Sequence, residues 1–274
     1  MPDHAAALIH PFDEASALTP AGPGLWTGRT SDAYWNFGGP FGGITAAVML
    51  RAPLEAPDRL GEPVSLTVNY CAPVAKGAFT VSARATRTNR STQHWYVELS
   101  QPEGGVAITA TAVFATRRPT WSHFPAKPPD GGDPDSLPAL PTGGMSAWLS
   151  RYRFRFVDNA PGGGGTAPAS ARSVVWMDDA PARPLDFPSI ASLSDAFFAR
   201  IFHVQRAFFP VATVSMTVYF HAAEEEIAAV GAAPLLGVAD GRAFTRGISD
   251  QTGELWSRAG RLLATTHQIV YYRN

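Results

Sequence analysis

A six-residue pattern of alternating apolar and polar side chains occurs twice in this sequence, and its recurrence limits the folds open to the chain. Ser65-Leu66-Thr67-Val68-Asn69-Tyr70 is answered at one constant offset by Ser215-Met216-Thr217-Val218-Tyr219-Phe220. The second copy lies in Ala212 to His221, where β-branched and aromatic residues mark a central strand. Internal similarity at this offset indicates a doubled domain. At roughly 150 residues per domain, the length of the chain also divides into two. Hydrophobic residues make up 45% of it, enough to build a stable core without a metal or disulfide staple.

The elements around each copy are similar in kind. In the first half a glycine-rich turn, Phe37-Gly38-Gly39-Pro40-Phe41-Gly42-Gly43, opens onto an apolar run to Arg51, which predicts a buried helix stopped by Pro53. Strands are predicted over 64–70, 79–86, 93–100 and 106–116, an antiparallel meander. A short strand at Leu25-Trp26-Thr27 precedes them. Prolines and glycines crowd 119–144, the expected linker between a domain at 1–118 and one at 145–274.

The second half opens with Arg151-Tyr152-Arg153-Phe154-Arg155-Phe156, whose alternation puts arginines on one face of a strand and aromatics on the other. After a flexible tract at 162–165, a strand at 173–177, a helix at 192–209 and strands at 234–238, 254–257 and 261–272 are predicted. One buried helix and one curved antiparallel meander per half is an α+β plan. It resembles the hot-dog fold, and two copies joining their sheets would make a double hot dog.

Composition and motifs exclude several kinds of chemistry. A formal charge of -1 gives no reason to expect nucleic acid or an anionic membrane as partner. Cys71 is the single cysteine, so no intrachain disulfide or cysteine metal site is expected, and a reducing compartment, the cytoplasm, fits. Met1-Pro2-Asp3-His4-Ala5 carries no basic export signal, and no apolar run is long enough to span a membrane. The sequon Asn89-Arg90-Ser91 is then without consequence. There is no Gly-x-Ser-x-Gly elbow, no phosphate-binding loop and no metal-ligand spacing among the histidines. Neither a metal nor another cofactor is expected.

What remains is a set of polar residues in apolar company: Asp195, Thr213 and Gln268. Each has a structural alternative. Ser192 and Asp195 have the spacing of a capping pair at the start of the predicted helix. Thr213 is an ordinary strand former, and a glutamine in a last strand is commonly solvated.

These residues, with Val175-Trp176-Met177 before them and Gly260-Arg261-Leu262-Leu263-Ala264 between the last two, resemble the second half of the bacterial acyl-CoA thioesterase II family, a double hot-dog family. Ser194-Asp195, Ala212-Thr213 with Tyr219-Phe220-His221, and Thr266-His267-Gln268 follow that family's order. The resemblance implies hydrolysis of acyl-CoA to a free acid and coenzyme A, with Asp195, Thr213 and Gln268 positioning a water. The N-H groups near Gly42 and Gly43, at the start of the first-half helix, are then candidates to stabilise the oxyanion, since helix N-termini favour negative charge. Cations are needed for the coenzyme's phosphates, and Arg87, Arg90, Arg151 and Arg153 are candidates.

Two departures bear on substrate range. Ser215-Met216 stands where the family has Asp-His, and Pro40 or Ile44 where it has glutamine after Gly-Gly. The resemblance implies an apolar tunnel beside the helices for the acyl chain, and the alternative is a non-catalytic acyl-CoA or lipid binding protein using that tunnel. A hot-dog hydratase would need an Asp and a His in a loop near the helix, and no such loop is present. Exposed sheet edges in such folds favour pairing between subunits, so a homo-oligomer is expected.

Overall fold

The computed structural model describes residues 9–162 and 170–273. Met1 to Ala5 and most of the predicted tract at 162–165 therefore lie outside the described residues. The first half comprises α1 (Pro11–Ser16), β1 (Thr19–Gly22), β2 (Leu25–Arg29), α2 (Gly42–Glu55), β3 (Glu62–Tyr70), β4 (Ala78–Thr88), β5 (Thr92–Gln101) and β6 (Gly105–Ala115). The second comprises β7 (Tyr152–Asp158), β8 (Ser173–Asp179), α3 (Phe187–Leu193), α4 (Arg200–Gln205), β9 (Val211–Phe220), α5 (Glu224–Val230), β10 (Leu235–Asp240), β11 (Phe244–Thr245), β12 (Ile248–Trp256) and β13 (Leu262–Tyr272).

The strands form one antiparallel sheet in the order β1-β2-β4-β5-β6-β3-β9-β13-β12-β10-β8-β7, with β11 on β12. This order is a palindrome. Reading outward from the β3–β9 seam, each first-half strand meets its counterpart from the second half, as expected of two hot dogs sharing a continuous sheet. At the seam Thr67 pairs with Thr217, and their hydroxyl oxygens are 2.9 Å apart at a sequence separation of 150. Two copies of the same residue thus face each other, so the pseudo-twofold axis passes between them.

α2 is buried over most of its 14 residues because the sheet curves around it and α3 packs alongside. Gly43 allows that approach: a Cβ there would lie 2.5 Å from Ser192 O. Pro53 falls inside α2, which continues to Glu55; the expected stop there is late by two residues. A proline removes one hydrogen bond and crowds the preceding turn, and in a last turn little helix remains to be lost.

The helix expected at 192–209 is not one helix. α3 starts earlier, capped by a reciprocal Asp186–Ser189 box with a proline in its first turn, and residues 194–199 leave helical geometry before α4. The break serves packing, because the Phe197 ring sits over two strand glycines. A Cβ on Gly237 or on Gly253 would meet that ring at 2.6 or 2.7 Å. The second-half helix is consequently a 7-residue counterpart of α2.

β7 shows the predicted alternation, with Tyr152 and Phe154 inward and Arg153 and Arg155 outward, both bonded to Asp178. The Pro/Gly segment after β6 is packed down. Gly131 O accepts the Trp176 Nε1-H at 2.9 Å, and Leu137 joins a small apolar cluster of Val174, Trp176, Leu236 and Trp256 on the outer face of the sheet. Among the described residues no helix is long and apolar enough to cross a membrane.

Candidate active site

Asp195 stands past the end of α3, not at its start: Ser194 is the C-cap, and the Asp195 N-H bonds Ser192 O at 3.1 Å. The expected Ser192–Asp195 capping pair is therefore not formed, and the Ser192 hydroxyl instead bonds the Tyr152 hydroxyl at 2.7 Å. Asp195 does face a helix N-terminus, but another one. The N-cap of α2, Phe41, makes no side-chain cap bond, and the Asp195 carboxyl lies against the first turn, where the Gly43 N-H favours its charged form. A carboxylate from the second half thus supplies the negative charge favoured at the N-terminus of the first-half helix.

Two strands complete the constellation. Thr213 lies near the start of β9 and Gln268 in β13. The Thr213 hydroxyl donates to Gln268 Oε1 at 3.0 Å, and both side chains lie close enough to Asp195 to favour its charged form. With its oxygen on Thr213, the Gln268 carboxamide turns its N-H toward the carboxylate. The single Thr213 proton serves Gln268 or Asp195, one at a time. Asp195 and Gln268 are buried, so the solvation expected for a terminal-strand glutamine does not apply. Burial pushes the Asp195 carboxyl up to about 7, against the lowering effect of the bonds from Gln268, Gly43 and Thr213. A group balanced there exchanges a proton readily at neutral pH.

The first half has no such set. Gln268 pairs with Met216, and the corresponding partner of Leu66 is Ala112. Thr213 answers to Pro63 in the repeat. Apolar residues occupy both positions.

Gly42 and Gly43 are brought to the carboxyl. A Cβ on Gly42 would stand 2.7 Å from Asp195 Oδ2 and 3.2 Å from Tyr70 Oη, so this position excludes a side chain. The Gly43 N-H, expected to face an oxyanion, favours the charged form of the Asp195 carboxyl. Tyr70 was not singled out in the sequence. Its hydroxyl donates to Gly42 O at 2.8 Å, and burial together with the Asp195 charge keeps the phenol well above its usual range. Its position as the last residue of a repeated strand was the one available signal.

The arginines are not gathered there. Arg87 bonds Asn89 at 3.0 Å in the β4–β5 hairpin, and Arg90 is exposed in the same hairpin. Through β5 and β6, Arg87 is level with Ser65, toward the start of β3, whereas Tyr70 is its end. Arg153 is paired with Asp178 at 2.9 Å, and Arg151 donates to Ser150.

Two family models match the chain. Residues 31–115 match the acyl-CoA thioesterase N-terminal domain, and residues 125–272 the acyl-CoA thioesterase C-terminal domain. Among solved structures, the chain is similar to a conserved protein of unknown function with a hot-dog fold from Alicyclobacillus acidocaldarius, at 42% identity and a TM-score of 0.92, covering 97% of this chain and 98% of that one. It is also similar to an acyl-CoA thioesterase II, TesB2, from Mycobacterium marinum, at 20% identity and a TM-score of 0.75, covering 96% and 98%. A tesB protein of Mycobacterium avium subspecies paratuberculosis matches at 17% identity and a TM-score of 0.77, covering 96% and 98%. At the two lower identities the likeness is one of fold. No curated protein matches the sequence.

Proposed function

Because the chain belongs to the acyl-CoA thioesterase family, we propose that it hydrolyses acyl-CoA to a free acid and coenzyme A through a water held by Asp195, Thr213 and Gln268. The observation that carries this reading is the meeting of a buried carboxyl, raised to about 7, with two directional side chains at the N-terminus of α2. In the proposed step Asp195 takes a proton from the water while its oxygen bonds the thioester carbonyl carbon. Thr213 and Gln268 hold that oxygen in line.

The carbonyl oxygen gains negative charge, which in this reading the remaining first-turn N-H groups of α2 stabilise. The C-S bond then breaks, and the thiolate leaves with the proton returned from Asp195. No covalent enzyme intermediate is needed. The Gly43 N-H has a different part from the one first expected, since it holds the base. The division into units at 1–118 and 145–274 is part of the proposal, and the site needs both: α2 and Tyr70 come from one, Asp195, Thr213 and Gln268 from the other.

Thiol release from a panel of medium-chain and aromatic acyl-CoA esters tests the reading. Stoichiometric release of thiol and acid supports it. Tight acyl-CoA binding with no release across the panel would replace it with a binding function.

A further inference from the structure

The Tyr70 hydroxyl and the Asp195 carboxyl lie on two ends of one peptide group. Tyr70 donates to Gly42 O at 2.8 Å, and the N-H of that same peptide, on Gly43, favours the charged form of the adjacent Asp195 carboxyl, whose Oδ2 would stand 2.7 Å from a Cβ on Gly42. Resonance links the two ends: a donor on the oxygen draws electron density from the nitrogen and strengthens the N-H as a donor. The peptide is held in the first turn of α2 and has few side-chain restraints. Gly42 carries no side chain, glycine tolerates many backbone conformations, and Phe41 contributes no side-chain cap.

Tyr70 is itself well fixed, at the end of β3 in register with Ile108 of β6. The site leaves no room for substitutes, because a Cβ on Gly42 would press on both Tyr70 Oη and Asp195 Oδ2.

We propose that Tyr70 is a positioning residue that acts through the Gly42–Gly43 peptide to hold the Asp195 carboxylate ionised and aligned. The consequence for turnover rests on the thioesterase reading; the effect on Asp195 does not. From the other packed elements Asp195 is faced by Thr213 of β9 and Gln268 of β13, both neutral. Tyr152 of β7, bonded to Ser192, also feels its charge. No charged side chain offsets the carboxylate, so a change in the strength of the Gly43 N-H falls directly on it. The repeat gives the counterpart of Tyr70 as Phe220, which has no hydroxyl, in keeping with a single site.

The test is a carbon-13 titration of the Asp195 carboxyl without substrate, in the wild type and in Tyr70→Phe, with Asp195→Asn used to identify the resonance. In Tyr70→Phe the midpoint is expected to rise by a few tenths of a unit, the size of a cooperative change in one charge-assisted hydrogen bond. 3-Fluorotyrosine in place of Tyr70, a stronger donor, is expected to move it down, and this second replacement decides the matter if the first does not fold. The acid limb of kcat should follow the midpoint, with KM nearly unchanged. Coincident titrations in wild type and variants would overturn the proposal whether or not the protein turns over. A wild type that releases no thiol would overturn the thioesterase reading alone.

Discussion

The Asp195 carboxyl, from the second half of the chain, lies against the first turn of the first-half helix, where the backbone N-H of Gly43 favours its charged form. In the proposed reading the carboxyl that acts on the water also supplies negative charge at the N-terminus of the first-half helix, whereas the capping of its own helix with Ser192, the alternative posed by the sequence, is not formed.

The closeness of that contact gives the first prediction. In Gly42→Ala the new methyl would lie 2.7 Å from Asp195 Oδ2, and either the helix or the carboxyl must shift. Misplacement of about an ångström costs on the order of a hundredfold in rate. Steady-state kinetics should show a fall of that order in kcat, with a much smaller effect on Tm.

Thr213→Val keeps shape and removes the hydroxyl that donates to Gln268 Oε1 at 3.0 Å. A lost hydrogen bond to a reacting group corresponds to roughly tenfold to hundredfold in kcat. Thr213→Ser should retain most of the activity, and the contrast between the two variants isolates the hydroxyl.

Stability should depend on pH through a second buried acid. Burial raises the Asp179 carboxyl to about 7 despite the nearby Arg183, and both its oxygens lack hydrogen-bond partners. The folded state then holds a proton that the unfolded chain releases near pH 4. The contribution to stability is complete below about pH 4 and is lost as pH rises through about 7. Asp179→Asn should remove this dependence. It should match the wild type in Tm near pH 4 and exceed it near pH 8, by up to about 3 kcal/mol in stability.

Arg200 is buried, and among the described residues it has no carboxylate partner within ion-pair distance. It donates to Phe198 O, to Ser173 Oγ at 2.6 Å, to Gln251 Oε1 at 3.1 Å and to Ala171 O at 3.2 Å. Gln251 is directly opposite Gln268 in the β12–β13 register, so this clamp also braces the wall of the site. Arg200→Met leaves these acceptors unpaired and should cost about 3–5 kcal/mol, read from the denaturant midpoint.

The doubled architecture was legible because strand alternation survives in Ser65 to Tyr70 and Ser215 to Phe220, where burial on one face fixes the pattern. The three polar residues were legible from their order and from the family resemblance. The broken helix was not. Residues 192–209 carry helix-like apolar content, but Phe197 and Arg200 spend it on the two strand glycines and on the acceptors around 198. Those demands are tertiary and leave no periodic mark. Tyr70 escaped notice for a related reason: its partner is a backbone carbonyl 28 positions away in sequence, and nothing local signals it. The arginines offered for the coenzyme's phosphates are not gathered beside Asp195, since residue type alone says nothing about the end of a strand on which a side chain falls.

The central claim is that the Asp195 carboxyl is the base. The most direct measurement is thiol release from an acyl-CoA ester by the wild type and by Asp195→Asn near pH 8. The asparagine oxygen can still accept the Gly43 N-H, so the variant should remain folded with nearly the wild-type Tm. Its kcat should fall by about 10²–10⁴-fold. Undiminished turnover in a folded Asp195→Asn protein would contradict the account.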